Sequence, residues 1–173
     1  TGKSVHLGAI ALSWLRYKDA RIYAFDKGLS MYPVCKATGG KHFTIADKDS
    51  HLSFAPLQFL ETKNDRAWAM EWIDSVLALN GLHTTAQQRN EIGYAIVSMH
   101  QSGSKTLSDF VVTIQDDKVR ETLKQYTIDG EMGHLLDADS DGLSLSSFMT
   151  FEIEHLMNLG EKFALPVLLY LFR

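Results

Sequence analysis

Cysteine is nearly absent from this sequence: Cys35 stands alone among 173 residues. An internal disulfide framework is thereby excluded, and a lone thiol in a reducing compartment is expected to behave as a small buried hydrophobe. Long apolar runs are missing as well. The longest, residues 165–172, is far below the roughly 20 residues that span a bilayer, so no segment reads as a membrane helix. Positive charge is not in excess, since 17 Lys and Arg face 21 Asp and Glu for a net charge of −4. Bulk electrostatics therefore give no reason for tight, salt-sensitive binding to a phosphate backbone, although a local basic patch is still possible. The seven histidines are scattered, with no H-E-x-x-H and no Cys at zinc spacing. No G-x-S-x-G elbow supports triad-type hydrolase chemistry. Internal repeats and low-complexity stretches are absent. The start, Thr1-Gly2-Lys3-Ser4, has neither an initiator Met nor a signal-peptide pattern, and the chain stops just after an apolar run. Both ends read as cut, as in an internal segment of a longer protein.

What is present suits a soluble globular domain: 45% hydrophobic and 22% charged residues, in a chain long enough to bury a sizeable core. Residues 5–17 are apolar almost all round, the pattern of a helix buried between layers. Residues 21–25 form a short β-rich run that delivers Asp26 to a turn at Lys27-Gly28. Buried helix followed by buried strand is an α/β signal. Residues 29–37 predict a helix broken at, or starting from, Pro33 and ended by Gly39-Gly40, and residues 41–45 and 52–54 are candidate strands.

From Asp65 the period turns helical. Ala69, Trp72, Ile73, Val76 and Leu77 share one face, with Gly81 where a left-handed cap belongs. Thr85 with Gln88 makes a capping box for a second helix carrying Ile92, Ile96 and Met99. Ser108 or Asp109 caps a third, and Val119, Leu123 and Tyr126 mark a fourth. Residues 148–156 alternate, with Phe151 and Ile153 on one face and Glu152 and Glu154 on a solvated one, as in a half-exposed strand; a helix over 152–159 competes. For residues 161–173 a helix beginning near Pro166 is expected, with a buried strand as the alternative. The division is thus 1–62 for the first part of an α/β core, 63–127 for an all-helical insertion, and 128–173 for the return to the core.

Gly2-Lys3-Ser4 ahead of a buried helix is the back half of the phosphate-binding pattern G-x-x-x-x-G-K-[ST]. Glycine lets the backbone approach phosphates, the helix N-terminal N–H groups face the anion, lysine reaches the β- and γ-phosphates and the hydroxyl ligates Mg²⁺. The triplet alone is a weak signal; the helix and the strand ending at Asp26 strengthen it. The expected phosphate-facing residues are Thr1, Gly2, Lys3, Ser4 and Val5, with Ser4 as the Mg²⁺ ligand. Asp26 sits at a strand's carboxyl end, where ligands of open α/β sheets collect, but it equally suits a turn-forming residue that caps the next helix. Asp137, Asp139, Asp141 and Gly142 imitate a calcium loop. Position 12, which needs a bidentate Glu, is Phe148, and position 8 is Ser144, so the segment reads as a solvated acidic turn.

Gly2-Lys3-Ser4 with its helix, residues 24–30 (Ala-Phe-Asp-Lys-Gly-Leu-Ser) and residues 54–57 together resemble the TrbE-like conjugal transfer ATPases of type IV secretion systems. So do residues 88–91, 133–137, 151–154 with Leu156-Met157, and 165–172. The likeness runs in order along essentially the whole chain. It implies a partial P-loop, RecA-like core with a helical insertion, ATP and Mg²⁺ as cofactors, and Lys3 and Ser4 as their contacts. It also implies hexamers, other secretion subunits as partners and peripheral attachment to the cytoplasmic face of the bacterial inner membrane, with direct DNA contact left open. Asp26 carries over only as a motif residue near the nucleotide edge. The family's second acidic motif would lie beyond residue 173, so no catalytic residue is assigned here and the 173-residue piece alone is expected to be inactive. Two rivals stand beside this reading: a DNA-translocating motor of the FtsK and HerA kind, and a non-enzymatic calcium-binding or helical interaction module on residues 63–142.

Overall fold

The computed structural model describes residues 2–47 and 50–173. In chain order its elements are α1 (Gly2–Trp14), β1 (Ile22–Asp26), α2 (Tyr32–Ala37), β2 (Lys41–Thr44), α3 (Lys63–Leu79), α4 (Ala86–Ser102), α5 (Leu107–Thr113), α6 (Asp117–Leu123), α7 (Gly133–Leu136), β3 (Phe148–Glu152), α8 (Glu154–Asn158) and α9 (Glu161–Leu171). They fall into two compact units, Thr1–Leu52 with Leu143–Asn158, and Ser53–Gly142 with Leu159–Arg173. No helix among the described residues is long and apolar enough to cross a membrane.

The first unit is built on a parallel sheet in the order β1-β3-β2. Parallel strands need crossovers, and their central strand is covered on both faces, so it can be apolar throughout. Every residue of β3 is buried, which corrects the expected half-exposed strand. The alternation of residues 151–154 misleads because the strand ends at Glu152 and α8 starts at Glu154. Gly40 leads into β2 where a Cβ would stand 2.6 Å from the carbonyl oxygen of Phe148 and 2.9 Å from Cys35 Sγ, so only glycine fits. Cys35 is fully buried, packed with Met31, Ala11 and Phe148.

Helix α1 departs from expectation. Only Gly8 and Ala11 are buried, while Val5, Leu7, Ile10, Leu12 and Trp14 are exposed. A helix lying on a small sheet covers it with one stripe; here that stripe is small residues, with Gly8 close enough that an added Cβ would meet Val34 at 3.2 Å. Its bulky apolar side chains therefore remain on the other faces.

The second unit is helical. Threonine opens three of its helices with a reciprocal capping box: Thr62 with Asp65, Thr85 with Gln88, and Thr106 with Asp109. The third corrects the expected Ser108 or Asp109 cap, since Asp109 is the N3 partner rather than the cap. Gly81 takes the left-handed conformation after α3, φ 81°. Trp72, Ile73, Val76 and Leu77 on α3 and Ile92, Ile96 and Met99 on α4 are buried, as the helical period predicts. Residues 52–54 form no strand. The backbone at Phe54 still pairs, with its N–H donating to the Leu135 carbonyl and its own carbonyl accepting from Ala138. Helix α9 begins at Glu161, five residues before the expected start at Pro166, and carries that proline inside it.

The imitation calcium loop is neither a metal site nor a solvated turn. Asp137 accepts from the backbone N–H and the hydroxyl of Ser108 and, at 2.6 Å, from the N–H of Ile128. Asp141 accepts from the N–H of Ala55, Nε2 of Gln58 and the hydroxyl of Tyr170. The carboxylates diverge because each is satisfied by a different part of the unit.

Candidate functional site

The three parallel strands end in register, with Asp26 of β1 opposite Glu152 of β3 and Thr44 of β2 opposite the same Glu152. This carboxyl edge is where open α/β sheets place their ligand sites. Pairing continues one step past the strands: the N–H of Ile45 donates to the Glu152 carbonyl, and that of Ile153 to the Asp26 carbonyl.

Residues 26–31 form a tight loop above this edge. Gly28 and Leu29 both have positive φ, 89° and 59°; for leucine, unlike glycine, the left-handed region is strained. Two carboxylates hold the loop. Asp26 accepts from the hydroxyl of Ser30 at 2.6 Å and from the N–H of Met31 at 2.7 Å, at the entry to α2. Glu152 accepts from the N–H groups of Gly28 at 3.2 Å and Leu29 at 2.7 Å, and from that of Glu154 at 2.9 Å. Glu152 is 4% exposed. A buried carboxylate is tolerated only when its oxygens are hydrogen-bonded, and three amide donors meet that need. Expected on a solvated face, Glu152 is instead the best-anchored acidic group at this edge. Its signal in the sequence was an acidic residue directly after a wholly apolar strand.

Below the edge, Nδ1 of His42 lies 2.8 Å from Thr150 Oγ1 and Nε2 lies 3.3 Å from Thr44 Oγ1. Burial holds the His42 pKa below its ordinary value; Glu152 and Asp26 pull it back up, and Lys36 adds to the lowering.

Thr1 lies outside the described residues. Gly2, Lys3, Ser4 and Val5 form the first turn of α1; Ser4 is half-buried and the other three are exposed. A Cβ on Gly2 would meet nothing within 4 Å, and the first turn contains no acidic residue. Among the described residues, no hydrogen bond or ion pair engages Lys3. Helix α1 packs along the sheet and hands over to β1 through residues 15–21. A connection that short makes the helix run antiparallel to the strand, with its amino end on the side where the strands end. The turn thus combines free N–H donors, the positive end of a 13-residue helix and a mobile ammonium, the features that receive an anion. Asp26 differs: its carboxylate is occupied inside its own loop.

No family model matches the chain. A Sinorhizobium fredii protein described as a probable conjugal transfer protein TrbE is 46% identical over 177 residues, covering 100% of this chain and 27% of that protein. The conjugal transfer protein TrbE of Rhizobium radiobacter is likewise 46% identical, covering 100% of this chain and 22% of its own length. The type IV secretion system protein virB4 of Bartonella quintana is 23% identical over 99% of the chain. Among solved structures, VirB4 of Thermoanaerobacter pseudethanolicus matches with a TM-score of 0.74 at 14% identity, over 99% of this chain and 52% of that one, a likeness of fold. The chain is a homologue of the TrbE conjugal transfer proteins, corresponding over its whole length to about a quarter of theirs.

Proposed function

We propose that this chain is part of an ATP-driven motor of type IV secretion and conjugative transfer, and that the first turn of α1 receives the nucleotide's phosphates. The observation that carries the reading is the open, acid-free amino end of α1 with Lys3 beside it. The relatives' association with conjugal transfer and type IV secretion supports the setting.

The residues present fit ATP and Mg²⁺. The N–H groups of residues 2–5 are unpaired helix-start donors suited to phosphate oxygens. The Lys3 ammonium neutralises charge on the terminal phosphates, and the Ser4 hydroxyl is the residue type that ligates Mg²⁺ in such loops. Bound ATP with Mg²⁺ supplies the phosphoanhydride whose cleavage drives the motor. Asp26 and its loop border the same sheet edge. Homo-hexamers, other secretion subunits as partners and peripheral attachment to the inner membrane belong to this proposal. A DNA-translocating motor would share Lys3 and the same phosphate-facing turn.

The test is nucleotide binding and hydrolysis by a TrbE-length polypeptide carrying this segment. Lys3→Ala should lower ATP affinity at least tenfold and abolish turnover, while residues 1–173 alone should turn over no ATP. Undiminished binding by Lys3→Ala would overturn the assignment. Strong stimulation of hydrolysis by DNA would favour the DNA-translocating reading.

A further inference from the structure

Glu152 belongs to the central strand and lies 123 residues from the nearer of the two loop amides it holds. Its three hydrogen bonds divide between two neighbours, the loop after β1 and the start of α8. Asp26 grips the same loop from its own strand end, through Ser30 and Met31. The conformation thus held is not a relaxed one, because Leu29 lies at φ 59° and is half exposed, so apolar burial does little to offset the strain. A turn designed only for connection would place glycine or asparagine there. Charge-assisted bonds from a buried carboxylate to the amides of Gly28 and Leu29 provide the compensation.

We infer that Glu152 is a positioning residue for the nucleotide chemistry proposed above: by clamping Gly28 and Leu29 it holds residues 26–31 in the strained turn that keeps Asp26 at the carboxyl edge of the sheet. The inference rests on the ATPase reading. Glu152 acts through the loop and touches no substrate. With the clamp loosened, Leu29 relaxes to negative φ, and the Asp26 carboxylate, tied to Ser30 and Met31 of the same turn, shifts with it. Nucleotide affinity, set by the first turn of α1, is unaffected.

The experiment uses a TrbE-length polypeptide with Glu152→Gln, Leu29→Asn and both together, reading ATP dissociation constant, kcat and thermal melting. Glutamine keeps the shape and one acceptor oxygen but puts an N–H₂ group against a backbone donor. Asparagine adopts the left-handed region readily. Glu152→Gln should lower kcat at least tenfold with ATP affinity within about threefold of the parent (tenfold corresponds to about 1.4 kcal/mol). Adding Leu29→Asn should restore most of the loss, because the turn then stands without the clamp. Unchanged kcat in folded Glu152→Gln protein overturns the inference, as does a loss that Leu29→Asn fails to rescue. If Glu152→Gln does not fold alone, the double variant decides: near-parental kcat supports the clamp, and a tenfold loss refutes it. Lys3→Ala distinguishes the levels, since retained ATP affinity in that variant sinks the ATPase reading itself and leaves the geometry of the loop untouched.

Discussion

The hydroxyl of Tyr126 donates a hydrogen bond of 2.7 Å to the backbone carbonyl of Lys162. In an unbroken α-helix that carbonyl would receive the N–H of the fourth residue on, but that residue is Pro166, which has none. A tyrosine distant in sequence thus satisfies the acceptor that the proline leaves free, and Nε1 of Trp72 donates to the carbonyl of Pro166 itself. Tyr126→Phe should therefore cost about 1–3 kcal/mol, the range for an acceptor left unpaired in a buried setting. Urea unfolding monitored by tryptophan fluorescence measures it; a loss near zero would mean that water replaces the hydroxyl.

Two buried tyrosines should make the protein sensitive to alkali. Burial raises the pKa of Tyr170, and its hydrogen bond to the Asp141 carboxylate raises it further; burial also raises that of Tyr126. A folded-state pKa above the unfolded one stabilises fully while both states stay protonated. That stability is lost as pH climbs past the ordinary tyrosine value of about 10, where the unfolded chain ionises first. Melting temperature should fall from about pH 10 upward, and Tyr170→Phe should flatten that fall. An equally steep fall in the variant would show that other groups set the alkaline limit.

Calcium should not stabilise the protein. Asp137 and Asp141 would have to surrender their partners, Ser108 and Ile128 for one and Ala55, Gln58 and Tyr170 for the other, to face a common ion. Asp137→Ala should instead destabilise by about 2–3 kcal/mol, since it strands amide donors that a charged acceptor now serves. Calcium titration followed by thermal melting checks both statements, and a calcium-dependent rise in Tm abolished by Asp137→Ala would revive the calcium-binding module.

Ionic strength offers a further check on the phosphate-facing turn. Lys3 is exposed, and attraction between exposed charges is screened within about 8–10 Å at physiological salt. ATP affinity of the TrbE-length protein should weaken between low and high salt, and Lys3→Ala should flatten that dependence. A salt dependence identical in both proteins would place the principal cationic contact elsewhere.

Local chemistry by itself determined much of this protein. Capping by Thr85 and Gln88, the left-handed Gly81, the apolar faces of α3 and α4, and the strand running into Asp26 all depend on residues within about four positions of one another, and each is found where the sequence predicts it. Homology to TrbE was legible for the same reason, being carried by short motifs in order along the chain. Only the tertiary structure decided which carboxylates are working parts of the fold. Glu152 meets Gly28 across 124 positions, and Asp141 meets Ala55 across 86. It likewise exposed the bulky side of α1 and kept Pro166 inside a helix. Burial and hydrogen-bond satisfaction are properties of what arrives from far along the chain, and no local pattern encodes that arrival.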